Sequence, residues 1–252
     1  MTSKIALITG GSRGLGKNTA LKLAQKGVDV IFTYRTKHEE ANAVVAEIEK
    51  LGQRAAAIQL DVSDVKTFPA FTEKLTQLLK QQWQCEQFNF LVNNAGQGIH
   101  AEISKTTEEQ FDQLMNTHLK GVFFLTQSLL PLIADHGRII NISSGLTRFA
   151  LPGYAAYAAM KGAIEIFTKY LAKELGARGI AANVVAPGAI ETDFGGGSVR
   201  DNAHINQFIA SQTALGRVGQ ADDIGGAIAS LLSDDNRWVN SQRIEISGGM
   251  FI

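Results

Sequence analysis

The sequence predicts an α/β fold, a doubly wound parallel sheet of about seven strands with helices covering both faces. Three observations predict it. Short apolar runs of strand type alternate with longer segments of helical period along the whole chain. The first run ends directly in a glycine-rich turn that opens a helix. The residues best suited to binding or chemistry, Gly10, Asp61, Asn94, Ser144 and Pro187, all fall at the carboxyl ends of such runs, where open parallel sheets place their ligands.

Ile5-Ala6-Leu7-Ile8-Thr9 is the first strand-type run, and Gly10-Gly11-Ser12-Arg13-Gly14-Leu15-Gly16 follows it at once. Loop amides at the start of a helix, together with its dipole, favour a pyrophosphate. The spacing Gly-x-x-x-Gly-x-Gly departs from the standard dinucleotide turn; alone it also reads as a plain strand-to-helix turn, but its place in a strand–loop–helix unit at the chain start favours cofactor binding. Residues 17–26 form a helical pattern with Ala20, Leu21, Leu23 and Ala24 on its repeat. Further strands are expected at 28–33, 54–60, 88–92, 138–143 and 180–186, with helical segments at 39–51, 65–82, 107–133 and 154–178 between them. A helix at 221–233 and a strand at 242–246 complete the alternation. Residues 194–212 break it: Gly195-Gly196-Gly197-Ser198 is polar, and a weak helix over 203–211 follows. No linker or repeat interrupts the pattern, so a single dinucleotide-binding and catalytic domain over 1–252 is expected.

Composition excludes several classes of function. Twenty-four basic and 24 acidic residues balance to zero net charge, so no global field points to nucleic acid or an anionic membrane. Cys85 is the only cysteine, which excludes an internal disulfide and fits a reducing compartment. No apolar stretch is long enough to span a bilayer. Residues 1–4 run straight into the first strand, leaving no room for a leader. A soluble, cytoplasmic protein is the expectation. His38, His100, His136 and His204 show no spacing with Cys, Asp or Glu that suggests a metal, and none is assigned.

The chemistry concentrates in Ser144, Tyr157 and Lys161. On a helix, positions i and i+4 share a face, so a lysine ammonium lies beside the Tyr157 phenol and is expected to lower its pKa from about 10. Such a tyrosine exchanges a proton with a carbonyl or alcohol oxygen near neutral pH, and the Ser144 hydroxyl can hold the same oxygen. Alone, Tyr-x-x-x-Lys is also a common solvated pair.

Taken together, Thr9-Gly10…Gly14-Leu15-Gly16, Asp61, Asn93-Asn94-Ala95-Gly96, Ser144, Tyr157 with Lys161, and Pro187-Gly188 with Thr192 resemble the short-chain dehydrogenase/reductase family, from about Lys4 to the C-terminus. The resemblance implies a Rossmann-type sheet and hydride transfer between a nicotinamide and a carbonyl carbon. It implies that Tyr157 is the acid in reduction, that Lys161 holds the nicotinamide ribose, and that Ser144 donates to the substrate oxygen. Ser143 is the neighbouring candidate, but its spacing to Tyr157 fits less well. Gly10, Ser12, Arg13, Gly14, Leu15 and Gly16 would surround the pyrophosphate. Asp61 and Val62 would meet the adenine, although Asp61 also reads as a helix cap. Asn94, Ala95 and Gly96 would wall the cofactor, and Pro187, Gly188, Ile190 and Thr192 would meet the nicotinamide.

The second strand decides which nicotinamide fits. NAD-binding chains place a carboxylate at its end, whereas this chain has Tyr34-Arg35-Thr36-Lys37 and no acid before Glu39. Arg13 and Arg35 suit a 2′-phosphate, so NADP(H) is expected ahead of NAD(H). One position departs from the family pattern: His118 precedes Leu119-Lys120-Gly121-Val122-Phe123, where relatives carry asparagine. Asn116 lies about 200° away around the helix and cannot replace it. His118 reads as a stand-in that supplies its backbone carbonyl, as a proton relay, or as a buried filler.

The resemblance extends to 3-oxoacyl carrier-protein reductases, including Ile246-Ser247-Gly248-Gly249, without selecting a substrate. Gln97-Gly98-Ile99, residues 146–151 and residues 194–212 are expected pocket walls, with Phe149, Leu151 and Phe208 as contacts and Tyr154 as packing or pocket wall. In relatives the last of these segments caps the substrate; a plain surface loop is the alternative. A small carbonyl or alcohol substrate and a homotetramer are implied, with a dimer as the other assembly. A redox-sensing NADP(H)-binding protein and an isomerase or dehydratase using the same tyrosine stand as rival functions.

Overall fold

The computed structural model describes residues 3–252. The reading of residues 1–4 as a direct lead into the first strand lies outside the described residues for Met1 and Thr2.

β1 (Ile5–Ile8) shows why the sheet is buried on both sides. Ile5 and Leu7 join one apolar cluster while Ala6 and Ile8 join the other, and all four are buried. A strand apolar on both faces belongs in the middle of a parallel sheet, because pleating turns successive side chains to opposite sides. The strands are β2 (Asp29–Tyr34), β3 (Ala55–Gln59), β4 (Phe88–Asn93), β5 (Ile133–Ile142), β6 (Ala181–Pro187) and β7 (Arg243–Ile246). Their spatial order is β3-β2-β1-β4-β5-β6-β7, and every ladder is parallel. The chain runs outward from β1 to β3, then returns to the other side of β1 with β4. That reversal opens a crevice at the carboxyl ends of β1 and β4, the place where such sheets hold ligands.

The helices are α1 (Gly14–Gln25), α2 (His38–Lys50), α3 (Phe68–Leu78), α4 (Glu108–Met115), α5 (Gly121–Leu129), α6 (Ala155–Glu174), α7 (Ser198–Asp201), α8 (Ala203–Ser211) and α9 (Ala221–Leu231). α1, α2 and α9 cover one face through Leu23, Val44, Ile48, Ile224 and Ile228. α3, α5 and α6 cover the other through Phe68, Phe71, Leu125, Leu129 and Leu171. Each inward set follows the helical repeat.

Two expected helices are built differently. The segment 107–133 is not one helix: α4 and α5 are joined by a π turn over Asn116–Lys120. The segment then ends in a short 3-10 turn containing Pro131, so that Ile133 already belongs to β5. β5 therefore starts five residues before the expected 138, its register against β4 shifting between Phe88 and Phe90. In 65–82, a 3-10 turn capped by the Asp64 side chain precedes α3, and a π turn carries the chain to Trp83 before Gln84 stops it at φ 50°.

Candidate active site

The glycine turn is held from below by Asn94 and Thr9. Asn94 Nδ2 donates to the carbonyls of Thr9 and Gly10 at 2.9 and 3.1 Å. Thr9 Oγ1 accepts from the backbone N–H groups of Asn94 and Ala95 at 2.9 and 3.0 Å. The carboxyl ends of β1 and β4 are thereby pinned together across the switch point. Gly16 must lack a side chain here, since a Cβ would stand 2.1 Å from the Gly10 oxygen. α1 begins without a side-chain cap and without an acid in its first turn. Its leading amides and positive dipole end are thus not met by a cap or an acid of the helix's own, which leaves the donor set that a pyrophosphate requires.

Across the mouth, Thr192 lies beside the turn: a Cβ on Gly14 would come 3.8 Å from its Cβ. Thr192 donates its N–H to the Ile190 carbonyl, and Gly188 donates to Ile246. Pro187 ends β6. Tyr34 ends β2 buried, its hydroxyl 2.7 Å from His38 Nδ1. Arg13 and Arg35 are exposed. Among the described residues neither pairs with a carboxylate. Asp61 accepts from the N–H and hydroxyl of Ser63 at 2.9 and 2.7 Å, and the helix cap falls to Asp64. Val62 is buried, and its carbonyl lies against Gly121 at the start of α5.

α6 carries Tyr157 and Lys161 one turn apart on its inward side, together with Met160, Ile164 and Thr168. Both are almost wholly buried, 7% and 5% exposed. Lys161 Nζ donates to the Ile142 carbonyl at the end of β5, 2.8 Å away, and stands 5.5 Å from the Tyr157 ring centre. Ser144 lies two residues past the end of β5, and its Oγ accepts from the Leu146 N–H. Ser143 faces elsewhere, its hydroxyl on Glu165 at 2.7 Å. Tyr154 stacks edge-on against His100. Ile99 and Leu146 pack around Tyr157, whereas Phe149 joins Ile209, Met250 and Phe251.

One electrostatic expectation is reversed. Burial raises the Tyr157 phenol above its ordinary value. The Ser144 hydroxyl pulls it part of the way back, and nearby Tyr154 adds to the rise. Burial also drives Lys161 down to about 7, so at neutral pH the lysine sets only part of a charge against that rise. Taking a charge out of water costs more than one carbonyl contact returns.

His118 is fully buried. Its Nε2 lies 2.7 Å from the Gln97 carbonyl and 3.3 Å from the Gln97 N–H, and the shorter contact places the proton on Nε2. Its ring meets Tyr157 edge-to-face, centroids 5.1 Å apart. The Gln97 side chain donates to Thr117 and accepts from Gln113. Phe194, the first residue of the expected cap, puts its ring 5.9 Å from that of Tyr157. Gly195, Gly196 and Gly197 all turn left-handed after it, and Arg200 bridges Asp193 and Asp201.

Several supporting residues were not legible in the sequence. Arg243 donates to Glu165, to Thr147 and to the Ser144 carbonyl. Arg148 binds Glu245 and the carbonyls of Met250 and Phe251. Asn93 reaches Asn141, which reaches Thr168 on α6. Cys85 lies away from the site in a surface hollow shared with Lys80 and Pro131, its thiol donating to Gln87.

A family model described as enoyl-(acyl carrier protein) reductase matches residues 10–251. The chain is 36% identical to a 3-oxoacyl-[acyl-carrier-protein] reductase of Staphylococcus aureus, over 99% of each chain. It superposes at TM-score 0.94 on the reductase LugOII, reported to catalyse keto-reduction in lugdunomycin biosynthesis, with 38% identity over 100% and 99% of the two chains. It also superposes at 0.94 on the angucycline C-6 ketoreductase LanV with bound NADP, with 34% identity over 99% and 96%.

Proposed function

The chain belongs to the short-chain dehydrogenase/reductase family, and on that premise we propose that it is an NADP(H)-dependent ketoreductase using Ser144, Tyr157 and Lys161. One observation carries the reading: a buried phenol, a serine hydroxyl and a buried lysine converge beside the switch-point crevice. The names of LugOII, LanV and the 3-oxoacyl reductase support a ketone as the reacting group.

The residues fit NADP(H). The amides of Gly10 to Gly16 would take the pyrophosphate, and Arg13 and Arg35, beside Ser12 and Tyr34, the 2′-phosphate. Asp61 and Val62 would flank the adenine, and Asn94, Ala95 and Gly96 the ring wall. Pro187, Gly188, Ile190 and Thr192 would meet the nicotinamide, and Leu15 would close the turn. When bound, the nicotinamide supplies the hydride to the carbonyl carbon.

The chain's own work is at the oxygen. Burial keeps the Tyr157 phenol protonated through the neutral range, which suits an acid. As the C=O electron pair moves onto oxygen, the Ser144 hydroxyl donates to it. Tyr157 then transfers its proton, the O–H bond of the alcohol forms, and the phenolate is left beside Lys161. With a pKa near 7, Lys161 carries charge in a sizeable fraction of molecules at neutral pH and can balance that phenolate. Phe194 and the segment 194–212 would exclude water above the ring pair.

Phe123, Phe124, Ile166 and Tyr170 are exposed on α5 and α6, and an apolar surface of that kind supports assembly as a homotetramer. Light scattering gives its mass. The function is tested with ketones, aldehydes, 3-oxoacyl thioesters and enoyl thioesters, following NADPH absorbance. Oxidation of NADPH with ketones or 3-oxoacyl thioesters is expected. Binding of NADPH with no turnover across the panel would favour a sensor, and substrate conversion without NADPH loss an isomerase.

A further inference from the structure

His118 is the one buried titratable group at the site that the chemistry above leaves without a task. It stands in the middle of the π turn Asn116–Lys120, and single wide turns inside helices recur at functional sites. Its surroundings are built for it. A Cβ on Gly96 would come 2.7 Å from His118 Cε1, so only glycine lets the imidazole lie under the β4 loop.

We propose that His118 is a positioning residue: its imidazole fixes the plane of the Tyr157 ring and anchors Gln97 as a wall of the substrate pocket. This rests on the assignment of Tyr157 as the proton donor. The two rings meet at 88°, an edge-to-face contact that favours one orientation of the phenol over rotation about its axis. The imidazole is itself held in place by the Gln97 carbonyl through Nε2.

A relay by direct contact would need a ring nitrogen on the Tyr157 hydroxyl or on Lys161. Nε2 faces Gln97 instead, and among the described residues no side chain or backbone group bonds Nδ1. Burial and the neighbouring Lys161 hold the imidazole neutral, lowering it to about 3. The segment after β4 thus has two separate anchors. Thr9 holds Asn94 and Ala95 on the cofactor side, and His118 holds Gln97 on the substrate side. Loosening the second leaves the first in place.

Two measurements test this. Imidazole ¹⁵N spectra of the wild-type protein are expected to show His118 as the neutral Nε2–H form, without titration from about pH 5 to about pH 8. His118→Ala is expected to lower kcat/KM for the carbonyl substrate about 10- to 100-fold, with NADPH affinity by fluorescence titration unchanged. His118→Asn, which keeps an N–H donor for Gln97, should recover much of that loss. An imidazole that titrates in that range while kcat follows it would establish a relay and overturn the proposal. So would wild-type kcat/KM in His118→Ala, which would make the residue a filler. The spectra need no variant and stand if a substitution fails to fold. If Tyr157→Phe keeps its turnover, the donor assignment fails while the tautomer result is untouched, so the two failures are distinguishable.

Discussion

Lys161 should be held in place against the stability of the fold, and Lys161→Met reads this out. Burial lowers the lysine from 10.5 to about 7, a fall worth about 5 kcal/mol of charging free energy. Methionine fills a similar volume without charge but leaves the Ile142 carbonyl without its 2.8 Å donor, a loss of about 1–3 kcal/mol. The difference predicts that Lys161→Met is more stable than wild type by about 2–4 kcal/mol at neutral pH. The sign with pH follows from proton counting. Between about 7 and 10.5 the unfolded lysine holds a proton that the folded one lacks, so wild-type stability rises with pH across that window. The penalty is full below about 7 and gone above 10.5. Urea unfolding at several pH values, with and without the substitution, measures both the gain and its decay. A variant less stable than wild type at neutral pH, or one keeping the wild-type slope, would refute the reasoning.

Arg35→Ala should weaken NADPH binding by about 10- to 100-fold through loss of a charge-assisted contact, leaving NADH affinity unchanged; fluorescence titration of both nucleotides decides, and equal effects on the two would contradict the 2′-phosphate assignment. His118 should make the fold labile to acid. Its folded value is about 3 against 6.5 when unfolded, so unfolded chains bind the extra proton and stability climbs from about 3 to 6.5. Urea midpoints across that window should rise less steeply in His118→Asn, and an unchanged slope would show that another group carries the effect.

The sheet was legible because β1, β2 and β6 are buried throughout, which leaves unbroken apolar runs in the sequence. The glycine turn and the Tyr157–Lys161 pair were legible for the same local reason: residues close in sequence meet in space. The break between α4 and α5 was not, because a π turn adds one residue to a helix without changing its composition. Nor was the support of Ser144 by Arg243, whose partner lies 99 positions away. The electrostatic error at Tyr157 has one cause as well. Spacing tells which groups are neighbours, but only the packed structure tells how much water each has lost.

The reading depends most on Tyr157 as the acid. Tyr157→Phe removes one hydroxyl and keeps the ring that His118 and Phe194 touch. Single-turnover reduction of a ketone with bound NADPH, beside a fluorescence titration of that nucleotide, measures it directly. The account predicts turnover lower by about 10²- to 10⁴-fold with nucleotide affinity retained. Turnover at the wild-type level would contradict it.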